Sequence, residues 1–406
     1  MPSVPPAGEP SPRDGTLPAP VLARVGAAPL SAYVHVPFCA TRCGYCDFNT
    51  YTSDELGSAP GSSRAAYLAA LAGEIGLAAG VLGPRRPALS TVFFGGGTPS
   101  LLAADELVGV LAELRRGFGL EAGAEVTLEA NPESVSRESL ARLREGGFTR
   151  VSFGMQSAVP AVLAVLERQH TPGRVPEVVG WAREAGFESV SLDAIYGTPG
   201  ETLDQWRHTV EAAVACAPDH VSAYALIVEQ GTRLATRIRR GELAMPDDDL
   251  QADMYLLADE ALTAAGLAWY ELSNWAAPGH ECRHNLAYWR GHDWWGAGPG
   301  AHSHVAGVRW WNVRHPRRYS ERLDQGESPA EAREVLDEET RHVERILLES
   351  RLAEGLDLGV LSPAERHRAD TLALQDDPLV RLAGGRLTLT LRGRLLADAV
   401  VRELVG

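Results

Sequence analysis

The chain has 406 residues, 45% of them hydrophobic and 22% charged, with a formal net charge of −15. That composition supports one large globular domain plus a smaller one, and the acidic balance argues against a nucleic-acid partner, which wants a basic face. No apolar run approaches the roughly 18–20 residues of a membrane span. Five cysteines, three of them clustered, point away from a disulfide framework and toward a reducing, cytoplasmic setting.

Residues 1–28 are rich in Pro, Gly and Ala without an apolar period, and read as a disordered leader. The segment 53–62, "SDELGSAPGS", reads as a flexible loop. From about residue 31, short apolar strands alternate with amphipathic helices. The strands are expected at 31–38, 91–96, 125–130, 150–156, 189–197 and 220–226, and the helices at 64–80, 104–117, 136–145, 174–185 and 202–215. This order implies right-handed crossovers and a parallel sheet covered on both faces. Six such units favour a partial (β/α)6 barrel spanning 29–276. A helix at 247–266 and a strand-like "AWYELSNW" close it. Residues 277–406 read as a smaller α+β cap of winged-helix-like order: helices over 329–354 and 362–374, a hairpin turning at Gly384-Gly385, and a last helix "RLLADAVVREL".

The chemistry concentrates just past the first strand, in "YVHVPFCATRCGYCDFNTY". Cys39, Cys43 and Cys46 are spaced three and then two apart. Thiolates are soft ligands for zinc or iron–sulfur clusters. Zinc sites use paired Cys elements, so a zinc site completed by His35 fits this triplet poorly. Three thiolates hold three irons of a 4Fe–4S cube and leave the fourth open. Further along, "FFGGGTPS" sets three glycines directly after a strand, where bare backbone can approach a ligand. Glu129, Gln156 and Asp193 lie at or near later strand ends, with Arg168 beyond the fourth. Polar groups at the C-terminal ends of parallel strands converge on one mouth.

These motifs resemble the radical S-adenosylmethionine superfamily. "YVHVPFC", "FFGGGTPS", "GMQS", "DAIYGTPG", "YELSNWA" and "HNLAYW" together resemble its oxygen-independent coproporphyrinogen dehydrogenase family, and in particular the haem-chaperone branch, from about Tyr33 to the C-terminus. The resemblance implies that Tyr33, Gly96, Gly97, Thr98, Glu129, Gln156, Arg168 and Asp193 contact S-adenosylmethionine, with Tyr45 as an aromatic neighbour of the cofactor. It implies an electron donor, haem, and haem-accepting proteins as partners. The dehydrogenases carry CxxxCxxCxC; here the last position is Phe48, as in the chaperone branch. That favours a chaperone over a coproporphyrinogen III dehydrogenase, the alternative.

Seven of nine tryptophans and six of twelve histidines fall between 269 and 315. Imidazole is a good haem ligand and aromatic rings cover porphyrin faces. The resemblance of "HNLAYW" to the chaperone branch's haem motif implies His284 as axial ligand, with Cys282 as rival and Arg283 or Arg290 for a propionate. "GAGPGAHSHV" at 296–305, with His302, reads as a flexible loop.

Overall fold

The computed structural model describes residues 8–57 and 61–406. Among these, strands β1 (Leu30–Val36), β2 (Leu89–Gly96), β3 (Leu120–Ala130), β4 (Arg150–Gln156), β5 (Ser189–Tyr196) and β6 (His220–Ala225) pair in parallel in sequence order. Each crossover carries a helix: Arg64–Leu82, Ala104–Phe118, Arg137–Glu145, Arg174–Glu184 and Leu203–Ala215. This is the partial (β/α)6 barrel that the alternating pattern implies. Strand β4 is buried at every position, as a strand covered on both faces should be. The helices begin where capping chemistry permits; Thr202 and Gln205, for example, form a reciprocal capping box.

Several expectations need correction. Residues 8–28 of the leader pack on the fold, and residues 1–7 lie outside the described structure. Glu9–Pro10 pairs antiparallel with Arg333 and Ala332, and a short helix spans Ala19–Leu22. Leu17, Val21 and Val25, spaced four apart among the prolines, enter the core. In the segment 53–62, Ser53–Leu56 is helical under a Thr52 capping box, and residues 58–60 lie outside the described structure. The stretch 296–305 is not a loose loop: Asp293–Ala297 and His302–Val305 are strands. Residues Ala330–Val335, expected to be helical, form a strand against Val308–Asn312; the helix starts only at Glu338, capped by Asp337.

These strands extend the barrel sheet. Asp293–Ala297 pairs in parallel with β1, on the side away from β2, and the sheet continues through His302–Val305, Val308–Asn312 and Ala330–Val335. The barrel sheet therefore runs well past residue 276. A separate core begins near residue 338, where Ile346, Leu356, Leu372, Val400 and Leu404 are buried together. There a three-stranded sheet (among the described residues) is flanked by helices Glu338–Glu349, Pro363–Ala373 and Ala397–Val405. Its hairpin turns at Gly384 and Gly385, both at positive φ as a tight primed turn requires.

The helical run Arg64–Arg85 is apolar and long enough to cross a membrane by composition, contrary to the reading of the sequence. Its inner face instead buries Tyr67, Leu71, Glu74, Ile75 and Ala78 against the barrel. Glu74 accepts from Tyr319 Oη (2.5 Å), Asn312 Nδ2 (2.7 Å) and the Gly298 amide (2.8 Å). One carboxyl thus ties this helix to three segments more than 220 residues away. Burial pushes its pKa up to about 7, against the hydrogen bonds that lower it.

A raised carboxyl pKa contributes stability that is full below the unfolded value and lost as pH rises through the folded one. Glu74 should therefore add about 3 kcal/mol at pH 4 relative to pH 8. Chemical denaturation of Glu74→Gln across that range should show a stability profile flatter than wild type by that amount; an equal slope would mean the carboxylate is ionised in the folded chain.

Candidate functional site

The loop leaving β1 folds back on itself. The Cys39 amide donates to Tyr51 O (3.0 Å) and the Tyr51 amide to Pro37 O (2.7 Å). Its middle is pinned from two sides: the Gly44 amide donates to Leu166 O, and the Leu234 amide donates to Gly44 O. The three thiols are free and half-buried. Burial pushes Cys39 up and Cys46 up to about 11, and neighbouring thiols add to both shifts. Arg168 Nη1 lies 3.7 Å from Cys43 Sγ. Among the described residues, no three His, Cys, Asp or Glu side chains are already gathered into a metal-ligating group. The thiols share a loop and feel one another's charge without forming a closed cage. A cavity of about 600 Å3 lies beside them, lined in part by Cys43, Cys46, Arg42 and Gln169. Three soft donors, a guanidinium and adjoining space fit a bound metal cluster. His35 cannot complete a zinc site as it stands: Nδ1 meets Tyr33 Oη (3.1 Å) and Nε2 meets Asn49 O (2.9 Å).

The glycine triplet sits against this loop. The amides of Gly97 and Thr98 donate to Val36 O and Phe38 O, each at 2.8 Å. A Cβ on Gly97 would stand 2.5 Å from Phe38 O and 3.0 Å from Cys39 Sγ. Gly96, at φ +109, supports the next strand end: its amide donates to Glu129 Oε2 (3.2 Å). Around Gly95 the Tyr33 ring, the Phe93 ring and Glu129 Oε2 all approach within about 3.1 Å of where a Cβ would be.

Across the mouth, Gln156 ends β4 with φ +60, a conformation that costs a non-glycine residue energy and is found at functional positions. Its Nε2 and Arg168 Nη2 both lie over Gly154, 2.7 and 2.6 Å from the place of a Cβ. Arg168 Nη2 also donates to Gly154 O (3.1 Å), while its Nε is buried without a partner. Asp193 accepts from Ser152 Oγ at 3.0 Å on both oxygens. Burial pushes Glu129 up to about 8, and Asp193 adds to the shift. Burial likewise raises Asp193. Two desolvated carboxyls, an arginine with spare donor capacity and bare glycine backbone form a polar mouth suited to a ligand bearing hydroxyls, an ammonium and a carboxylate. Tyr45 packs on Val162, Leu166, Ile195 and Leu226 and neighbours both Cys43 and Arg168.

A second cavity, about 970 Å3, opens on the other side of β1. Tyr33, His35, Phe48, Tyr288, Trp289, Trp294, His302, His304 and Trp311 line it. His284 belongs to its supporting layer rather than to its surface. Its Nδ1 meets Thr91 Oγ1 (2.7 Å), its Nε2 meets Tyr288 Oη (2.9 Å), and its ring stacks on Phe93. It is 1% exposed, and burial lowers its pKa to about 3. Both of its ring nitrogens are thus engaged by side chains, Thr91 and Tyr288, in this structure. Cys282 is buried with Sγ 3.6 Å from Glu125 Oε1, and Arg290 is held by both oxygens of Glu354. Reading the sequence missed Ser152, which orients Asp193, and His304. The alternation in "HSHV" was the available signal for a strand showing two histidines on one face.

Residues 33–213 match the radical SAM superfamily model. The chain is 53% identical to the heme chaperone HemW of Mycobacterium tuberculosis, over 97% of this chain and 99% of that protein. It is 33% identical to the heme chaperone HemW of Bacillus subtilis, over 93% and 99% respectively. Among solved structures, the radical SAM enzyme coproporphyrinogen III oxidase (HemN) of Escherichia coli superposes with a TM-score of 0.81 at 24% identity, covering 95% of this chain and 92% of that one. That likeness carries the fold.

The clearance at Gly97 gives a direct test of how the thiol loop is held. Gly97→Ala should push Phe38 and Cys39 outward, lowering iron taken up on anaerobic reconstitution by at least half. Iron analysis beside a thermal melt would check this, and uptake equal to wild type would show that the loop tolerates the shift.

Proposed function

The chain belongs to the heme chaperone HemW family, within the radical SAM superfamily, and from that membership we propose that it binds a 4Fe–4S cluster, S-adenosylmethionine and haem, and delivers haem to acceptor proteins. Cys39, Cys43 and Cys46 would hold the cluster. When bound, such a cluster supplies one electron and an open iron position for S-adenosylmethionine. Arg168 would stabilise thiolate charge at Cys43. Glu129 would accept from ribose hydroxyls, a carboxylate being able to take two such bonds. Asp193 and Gln156 would take further polar contacts, over backbone that the glycine run leaves bare of side chains. The setting is the cytoplasm, with an electron donor and haem-accepting proteins as partners.

One observation carries the haem part. An aromatic-lined cavity of about 970 Å3 shares the wall of Tyr33 and His35 with the polar mouth. Its size stands at the upper end of ordinary ligand pockets, about 300–1,000 Å3. Phe48, the residue at the position where the dehydrogenases carry an extra cysteine, is 51% exposed and lines this cavity. A thiol there would add a redox-active group; a phenyl ring adds an apolar wall. For that reason the dehydrogenase reading is the weaker of the two.

Anaerobic reconstitution should give about four irons per chain, and Cys43→Ala should lose most of them. A preparation with one zinc and no iron would sink the cluster assignment. Removing a buried carboxyl acceptor leaves its donors unsatisfied, at a cost of about 1–3 kcal/mol. Glu129→Ala should therefore weaken S-adenosylmethionine binding roughly 10- to 100-fold in calorimetry, leaving iron content unchanged. Incubation with coproporphyrinogen and reductant under anoxia should yield no vinyl product; accumulation of vinyl product would move the chain to the dehydrogenases.

A further inference from the structure

We propose that the C-terminal cap is a lid on the larger cavity, swinging about Leu336-Asp337 and fastened at its far end by a polar latch, so that its opening is the step that admits and releases haem; this rests on the haem reading above. One wall of that cavity belongs to the cap. Glu344, Leu347, Leu348 and Glu349 of the helix Glu338–Glu349 line it together with Tyr33 and Trp294 of the barrel. The helix follows the last strand of the barrel sheet, Ala330–Val335, through Leu336 and Asp337 alone. A few residues between two elements suffice as a hinge. Each of these two is anchored to its own side. The Leu336 amide donates to Gly307 O (2.9 Å) in the barrel sheet, and Asp337 caps the helix by accepting from the Thr340 amide (2.8 Å).

Beyond the helix the cap is held by polar contacts. The Ala353 amide donates to Tyr270 O (2.9 Å), beside an isolated bridge between Leu352 and Glu271. Arg290 donates to both oxygens of Glu354, each at 2.8 Å, and the two side chains are 39% and 47% exposed. Arg394 Nη1 donates to Asp259 Oδ1 (2.8 Å), with its guanidinium 3.9 Å from the Trp269 ring centroid. Among the described residues, Leu272 is the one barrel side chain packed against the core of the cap. Two separate cores joined by ion pairs make an interface across which domains move, and an exposed pair is weak and screened by salt. Arg309 pairs with Glu344 on the hinge half of the helix, a contact that persists as the far end lifts. A flat apolar ring between Leu347 or Leu348 and Trp294 would draw the two walls together, and loosening the latch would part them.

The test is rapid mixing of the full-length chain with ferric haem for the entry rate, and transfer of the haem to an apo-globin for the release rate. Glu354 lies outside the cavity lining. Glu354→Gln should speed entry and release alike, by about three- to fivefold, the range of an exposed ion pair, and should leave the Soret band in place. Losing a haem contact would instead speed release alone. Asp259→Asn should act at least as strongly. Hydrogen exchange over residues 350–356 should rise in both variants, with that of Leu30–Val36 unchanged. Raising salt from about 0.05 to 0.5 M should speed both rates of wild type and affect Glu354→Gln less; this series needs no variant, so it decides the matter even if one fails to fold. Wild type that binds haem with entry unmoved by salt and by Glu354→Gln would overturn the lid alone. So would release that quickens while entry does not. Wild type that binds no haem would overturn both this and the haem reading.

Discussion

The parallel ladder between Leu30–Val36 and Asp293–Ala297 is the pairing on which the rest of the molecule depends. It joins segments more than 260 residues apart, giving β1 a neighbour on each edge. On the β2 side, the end of β1 meets the glycine run and the polar mouth. On the other side, Trp294 and the strand His302–Val305 make the wall of the aromatic cavity. The two sites therefore share the backbone and side chains of Tyr33 and His35 instead of occupying separate domains. Without that ladder the thiol loop would hang from an edge strand and the cavity would lose a wall.

The interior is held by carboxyls that a smaller or wetter fold could not keep. Glu74 gathers the helix Arg64–Leu82, the Gly298 turn and Tyr319 around one group. Glu125 does similar work beneath the aromatic wall, accepting from the amides of Arg283 (3.1 Å) and His284 (3.0 Å), so the start of "RHNLAYW" is seated on strand β3. Such groups cost desolvation, repaid only when every donor is in place. They therefore make the position of the cavity wall conditional on a complete barrel.

The polar mouth and the aromatic cavity follow opposite physical rules. At the mouth, Glu129, Asp193 and Arg168 keep unspent hydrogen-bonding capacity on bare glycine backbone, an arrangement that gains from a polar ligand. Along the cavity wall, Tyr288 and Trp294, backed by His284, satisfy one another through ring contacts and a single hydrogen bond, leaving apolar faces outward. A carrier benefits from that contrast: a half-open aromatic pocket can hold a flat ring and also release it.

Much of this was legible in the sequence. The alternation of short apolar strands with amphipathic helices determined the partial barrel, because a parallel sheet covered on both faces leaves a strong local pattern. The spacing of Cys39, Cys43 and Cys46 determined a three-thiolate loop, because ligands that share one turn must be close in the chain. The order of the C-terminal hairpin was also readable from Gly384-Gly385. What only the tertiary structure decided is which side chains are already spoken for. That Thr91, 193 residues away, meets His284 Nδ1 while Tyr288 meets Nε2 is one such case. The strands from Asp293 to Val335 read as loop and helix because their partners, β1 among them, are distant in the chain and no local period announces them. Local spacing records what a residue can do; whether its donors, acceptors and faces remain available is settled by partners brought in from far along the chain.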